Sequence, residues 1–141
     1  MIKLFTTHSA TATKRLGMAL GRELKGSEVL ALTGNLGAGK TTFVKGLAKG
    51  LGVRQTITSP TFVLMKVYQA KRGKIKNFVH VDCYRVPGVE LKAIGLGDYL
   101  GDPHTVVAIE WAEKLKFKHR SVIKLKFGHG KKSNERSIGW Q

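Results

Sequence analysis

Apolar positions follow two kinds of pattern along this chain. Over residues 9–25 they recur at helical spacing: Leu16, Leu20 and Leu24 stand at i, i+4 and i+8, and Ala12 and Ala19 extend the stripe. Ser9 stands where an N-cap hydroxyl belongs, and Gly26 where a helix stops. A second helix is predicted from about Lys40 to Gly50. It carries Phe43, Val44, Leu47 and Ala48 on one face, with Gly50 and Gly52 closing it. The other pattern is the short, continuous apolar run of a strand buried on both sides. Val29-Leu30-Ala31-Leu32, Phe78 to Val81 and Thr105 to Ile109 are of this kind. Residues 1–7 read as a strand leading into a turn, and residues 62–69 as a weakly alternating strand. Two late strands, 120–127 and 135–140, surround a Gly/Lys-rich turn. Lys71-Arg72-Gly73-Lys74 is the expected hairpin tip, and residues 54–61 a polar loop. Short helices are expected near Glu90-Leu91 and near Asp98-Tyr99-Leu100. Strand and helix alternate, which predicts an α/β fold with helices on the faces of a sheet.

Composition narrows the class. The chain has 141 residues, 42% of them hydrophobic and 24% charged, so one globular domain spanning 1–141 is expected. No apolar run reaches the roughly 18 residues that cross a bilayer, and the first residues lack a signal-peptide core. Cys83 is the one cysteine, which excludes an internal disulfide or a cysteine zinc cage and makes the cytoplasm the expected compartment. The charge is the unusual number: 25 Lys and Arg against 9 Asp and Glu give +16. Such self-repulsion suggests a polyanionic partner, most simply RNA; a basic shift of the whole proteome would produce it equally well.

The strongest chemical signal is Gly34-Asn35-Leu36-Gly37-Ala38-Gly39-Lys40-Thr41, which fits G-x-x-x-x-G-K-[ST] between an apolar strand and a helical pattern. In such a loop the backbone N–H groups wrap phosphates, and the following helix adds its positive dipole end. Lys40 would reach the β- and γ-phosphates, and the Thr41 hydroxyl would coordinate Mg²⁺. The fold class sharpens accordingly to a P-loop NTPase-type, mostly parallel sheet flanked by helices, with late antiparallel strands.

With so few carboxylates, their placement is informative. Asp82 and Glu110 each follow an apolar strand, so both belong at the C-terminal strand ends where open α/β sheets bind ligands. Either can hold Mg²⁺ through a water or orient an attacking water, and the residues do not say which does which. Asp82 is the Walker-B-like candidate, and Glu110 takes a joint metal-linked and catalytic role. Thr58-Ser59-Pro60-Thr61-Phe62 sits where nucleotide switches carry a metal- or γ-phosphate-binding hydroxyl, which Thr61 would supply; a plain turn leading into the strand is the alternative. Arg85 serves either as an internal arginine or as a loop-holding partner of Asp82 or Glu90. His80 reads as a packed or hydrogen-bonded histidine rather than a catalytic base. Cys83 reads as a small buried filler. Trp111 either packs the site edge or faces a partner. From Lys114 to Arg136 there are nine Lys or Arg and one acid, Glu135. Lys124 and Lys126 alternate with Ile123, Leu125 and Phe127, so with Lys131, Lys132 and Arg136 they form a candidate phosphate-contacting stripe, or a merely solvated face.

Taken together, these residues resemble the TsaE (YjeE-like) family of bacterial P-loop ATPases of tRNA threonylcarbamoyladenosine biosynthesis. The matching pieces are Thr6-Thr7, Thr13 with Leu16-Gly17, the loop from Gly34 to Thr41 with Thr42-Phe43, Ser59-Pro60-Thr61-Phe62, His80-Val81-Asp82-Cys83-Tyr84-Arg85, Glu110-Trp111 and the late Glu135-Arg136-Ser137-Ile138. The resemblance implies a slow ATPase that uses ATP and Mg²⁺ and resets a threonylcarbamoyl-transferase complex between turnovers. Its protein partners would be of the TsaD and TsaB type, with tRNA nearby. It implies nucleotide contacts at Thr13, Asn35, Leu36, Gly37, Ala38, Gly39, Lys40, Thr41, Thr42 and Arg136. It implies that Thr41 and Glu110 are linked to Mg²⁺ and that Asp82, itself a metal candidate by its place at a strand end, is needed for ATP turnover. Two segments depart from the family: one acid, Glu90, follows the Tyr84-Arg85 pair where several are usual, and Ala10-Thr11-Ala12 replaces early helix acids. Two other readings use the same loop. A small P-loop kinase would need room for an acceptor, which 141 residues barely provide. An RNA-binding module would hold ATP as a structural ligand.

Overall fold

The computed structural model describes residues 3–35, 37–58, 65–84, 89–90, 95–116 and 122–141. In chain order they form β1 (Lys3–Thr7), α1 (Ala10–Glu23), β2 (Val29–Gly34), α2 (Lys40–Gly50), β3 (Met65–Arg72), β4 (Ile75–Asp82), β5 (Val89–Glu90), β6 (Thr105–Glu110), β7 (Leu115–Lys116), β8 (Val122–His129) and β9 (Arg136–Trp140). Short 3-10 turns occupy Leu96–Asp98 and Ala112–Lys114. Leu36, the Ser59-Pro60-Thr61-Phe62 motif and Arg85 lie outside the described residues.

A seven-stranded sheet in the order β1-β9-β8-β2-β6-β4-β3 carries the molecule. Its centre, β8-β2-β6-β4, is parallel, and antiparallel pairings add β9 and β1 at one side and β3 at the other. The continuous apolar runs are the strands buried on both faces, and strand parity divides them. Leu30, Leu32, Phe78, Val106, Ala108, Leu125 and Phe127 join the core beneath α1 and α2. Val29, Ala31, Val79, Val81, Val107 and Ile109 pack on the other side with Leu96, Cys83 and Ala112. Both long helices therefore lie on one face, and among the described residues the opposite core is closed by short turns. Fully burying each such aliphatic side chain contributes about 1.5–3 kcal/mol.

Helix α1 begins at Ser9, whose hydroxyl accepts the Ala12 N–H at 3.0 Å. It ends at Glu23, before Gly26, because the Glu28 carboxylate takes the Lys25 and Gly26 N–H groups at 2.8 and 2.7 Å and turns the chain. The Leu20 and Leu24 side chains are buried as the stripe requires, but Ala19 is exposed. The buried line runs instead through Thr13, Gly17, Leu20 and Gly21. Its glycines make the helix crossing: a Cβ on Gly17 would stand 2.2 Å from the Phe43 carbonyl oxygen, and one on Gly46 would stand 1.9 Å from that of Lys14. Backbone thus meets backbone between α1 and α2.

The expected helix near Glu90-Leu91 is not formed at its first residue. Val89–Glu90 pairs in parallel with Leu115–Lys116, so its backbone hydrogen bonds go to another segment rather than to its own next turn. The second expected helix is the 3-10 turn Leu96–Asp98, starting two residues earlier. The hairpin tip narrows to Gly73-Lys74, with β3 running through Arg72. Among the described residues no helix is long and apolar enough to cross a membrane.

Candidate functional site

The parallel strands β2, β4 and β6 end on one edge of the sheet, and the phosphate loop leaves β2 there. Three glycines of this loop take φ values closed to most L-residues: +136° at Gly34, +77° at Gly37 and +98° at Gly39. At Gly34 the reason is also space, since a Cβ would stand 2.4 Å from the Phe127 carbonyl oxygen. At Gly37 a Cβ would meet nothing within 4 Å, so the loop's outer side is open. Gly39 caps α2, and Lys40 and Thr41 open the helix.

Lys40 is almost fully buried. Its ammonium donates to the carbonyls of Gly34 and Asn35, the latter at 3.0 Å, and sits 3.9 Å from the Trp111 ring centroid. Burial pushes its pKa below the ordinary 10.5, against the pull of the Glu110, Glu113 and Asp82 carboxylates. Trp111 reaches it from a left-handed backbone, φ +57°, immediately after β6. The Tyr84 ring lies 4.9 Å from Trp111, and the Lys114 ammonium covers both rings. Trp111 therefore packs the edge of the site.

The two strand-end carboxylates are direct neighbours: Asp82 pairs with Glu110 in the β4–β6 register. Glu110 is only 2% exposed. Its Oε1 accepts the Thr41 hydroxyl at 2.9 Å, and its Oε2 lies 2.5 Å from His80 Nε2. The half-buried Asp82 accepts the Tyr84 N–H at 2.9 Å. Burial raises its pKa above 3.8, and Glu110 adds to the rise; the Tyr84 N–H, His80 and Lys40 oppose it. Cys83, next in sequence, is fully buried, and burial pushes its thiol up to about 11. It is the inert filler expected.

Beside the loop lies a concavity of about 370 Å³, lined by Thr13, Gly37, Gly39, Thr41, Thr42, Asn134 and Arg136 among others. That volume suits a small ligand. The Thr13 hydroxyl is already engaged, 2.6 Å from the Thr7 hydroxyl and donating to the Ser9 carbonyl. Its methyl faces Gly39. Arg136 bends inward beside Gly39, held by the carbonyls of Ser133 and Glu135 at 2.7 and 2.9 Å. It thus joins this cavity rather than the basic stripe, of which Lys124, Lys126, Lys131 and Lys132 are exposed. Asn134 was not among the expected site residues. Its one signal was its place in the turn two residues before Arg136.

The structure brings together Thr13, Gly37, Gly39, Lys40, Thr41, Thr42, Asp82, Glu110 and Arg136, while Thr61 and Leu36 lie outside the described residues. Open backbone, a lysine, a hydroxyl and two carboxylates form a site for an anion together with a hard cation. The oxygen donors Thr41, Glu110 and Asp82 suit Mg²⁺. Among the described residues no group of three or more His, Cys, Asp or Glu forms a closed metal cage. A cation here would draw most of its ligands from water and substrate.

The family described as "Threonylcarbamoyl adenosine biosynthesis protein TsaE" matches residues 7–138. The chain is similar to the tRNA threonylcarbamoyladenosine biosynthesis protein TsaE of Aquifex aeolicus, 40% identical over 82% of this chain and 81% of that one. It is similar to the Nostoc protein of the same name, 38% identical over 92% and 80%. The crystal structure of Bacillus subtilis YdiB superposes with a TM-score of 0.69 at 30% identity, covering 99% of this chain and 84% of that one.

Proposed function

Because the chain belongs to the TsaE family of threonylcarbamoyl adenosine biosynthesis proteins, we propose that it is the Mg-ATP-hydrolysing accessory subunit of tRNA N6-threonylcarbamoyladenosine modification. On this reading residues 1–141 act as one P-loop domain in the cytoplasm. They cycle a transferase complex of TsaD- and TsaB-type proteins between turnovers. The observation that carries the reading is the 2.9 Å hydrogen bond from Thr41 to Glu110, which ties the phosphate loop to the carboxylate edge of the sheet.

Roles follow from position. The backbone of Asn35 and of Gly37 to Gly39 cradles phosphate oxygens, and Lys40 exchanges its loop carbonyls for the β- and γ-phosphates. Thr41 and Glu110, with Asp82 beside them, would hold Mg²⁺, which would neutralise phosphate charge when bound. One of the two carboxylates orients the attacking water. Thr61 supplies a switch hydroxyl. Gly39, Thr42, Arg136 and the Thr13 methyl line the remainder of the nucleotide. The test is phosphate release from Mg-ATP with and without the two partner proteins and tRNA. The expected result is stimulated release that Lys40→Ala and Glu110→Ala both abolish. Equal release without partners would indicate a stand-alone enzyme, phosphate found on an acceptor a kinase, and tight binding without release a structural nucleotide.

A further inference from the structure

His80 lies beneath the site without belonging to the phosphate loop or to the paired strand ends. Strand parity puts Phe78, His80 and Asp82 on the helix side of β4, and Val106, Ala108 and Glu110 on the same side of β6. Register sets His80 opposite Ala108, one pleat below Glu110, so the imidazole reaches diagonally up to the carboxylate. The ring has no exposed surface. It stacks on Phe78, with centroids 6.4 Å apart and planes 14° from parallel. Nε2 lies 2.5 Å from Glu110 Oε2, and Nδ1 has no hydrogen-bond partner among the described residues.

A neutral imidazole has one N–H and one lone pair. With the proton on Nε2, the ring donates to the carboxylate, and only a lone pair is left unpaired at Nδ1. With the proton on Nδ1, an N–H is buried without an acceptor among the described residues, and two lone pairs, the ring's and the ionised carboxylate's, face each other at 2.5 Å. The first arrangement satisfies the stronger groups. It also orients Glu110: Oε2 is held from below, while Oε1 accepts from Thr41.

We propose that His80, as its Nε2–H tautomer, is the positioning residue that aims Glu110 at Thr41 and the metal-binding edge of the phosphate loop. This rests on the reading that Glu110 acts on Mg-ATP. The proposal concerns hydrogen-bond geometry and not proton transfer, since His80 faces no substrate-sized space.

The test uses three replacements of His80. A glutamine amide nitrogen reaches about as far as imidazole Nε2, an asparagine nitrogen only about as far as Nδ1, and leucine restores apolar packing without a donor. Partner-stimulated phosphate release should fall about 10–100-fold in His80→Asn and His80→Leu, the usual cost of losing a group that orients a metal ligand. His80→Gln should recover to within a few-fold of the wild type. Nucleotide affinity measured without Mg²⁺, by displacement of a fluorescent ATP analogue, should change less than about twofold in all three, which also shows that they fold. If Leu matches the wild type, or Asn and Gln fall together, packing is the whole role and the proposal is overturned. A second readout needs no turnover: ring ¹⁵N–¹H spectra of the wild type should place the His80 proton on Nε2, with a resonance that moves in Glu110→Gln. A proton on Nδ1 would overturn the proposal directly. Full hydrolysis by Glu110→Ala alongside an Nε2–H signal would instead remove the parent reading and leave the His80–Glu110 hold intact.

Discussion

Asp82 sits half-buried beside a second carboxylate, Glu110. Burial, and then the neighbouring Glu110, raise its pKa above 3.8, so the folded state binds this proton more tightly than the unfolded state. Between 3.8 and the raised value, stability falls as pH rises; above that window the full cost of the charged carboxylate persists. Asp82→Asn keeps the oxygen that accepts the Tyr84 N–H and removes the charge. Thermal unfolding without Mg²⁺ should therefore show Asp82→Asn more stable than the wild type at neutral pH, with the advantage gone once the pH is below the ordinary carboxylate range. Its Mg-ATP hydrolysis should fall. An equal melting temperature at every pH would mean that the Asp82 charge costs the fold nothing. The residues of the phosphate loop, Asp82 and Glu110 were legible in the sequence because motif spacing and strand ends are local properties. The engagement of His80 with Glu110 was not, because it depends on which strands are neighbours and in what register.

At the level of elements, the same distinction separates what was read from what was missed. The double-sided strands were legible because a continuous apolar run needs no knowledge of its partner. The stripe on α1 was read through Ala19, yet the buried line passes through Gly17 and Gly21. Glycine carries no apolar signal, so a face built from backbone contact is invisible to hydrophobic periodicity. The pair Val89–Glu90 is likewise too short for any period, and its strand conformation goes with its pairing to β7. The glycine crossing yields a direct test in Gly46→Ala. Helix propensity favours alanine by about 1 kcal/mol. The new Cβ would stand 1.9 Å from the Lys14 carbonyl oxygen, a backbone atom that cannot rotate away. Overpacking of this kind costs about 1–3 kcal/mol and here should exceed the propensity gain. Denaturant unfolding should show a lower midpoint for Gly46→Ala; an unchanged or higher one would mean that the helices separate easily.

For the whole molecule, the charge of +16 is the property that most affects encounters. Among the described residues no lysine or arginine side chain pairs closely with a carboxylate; the close approaches are those of the His8 and His80 imidazoles to Glu135 and Glu110. If the exposed face of β8 meets tRNA, binding should weaken steeply with salt, and replacing Lys124 and Lys126 with glutamine should lower the log–log slope by roughly 1.4–1.8. An unchanged slope would assign their charge to general basicity. A mechanical consequence also follows from the crossing of α1 and α2. Helices usually slide by repacking the side chains between them, as a bearing turns on its lubricant. Where Gly17, Gly21, Gly46 and Gly50 bring backbone onto backbone, that layer is missing, and the two helices share one close-packed seam. The end of α2 that carries Lys40 is thus joined to α1 through main chain, and a bulky side chain at any of these four positions would have to part the helices.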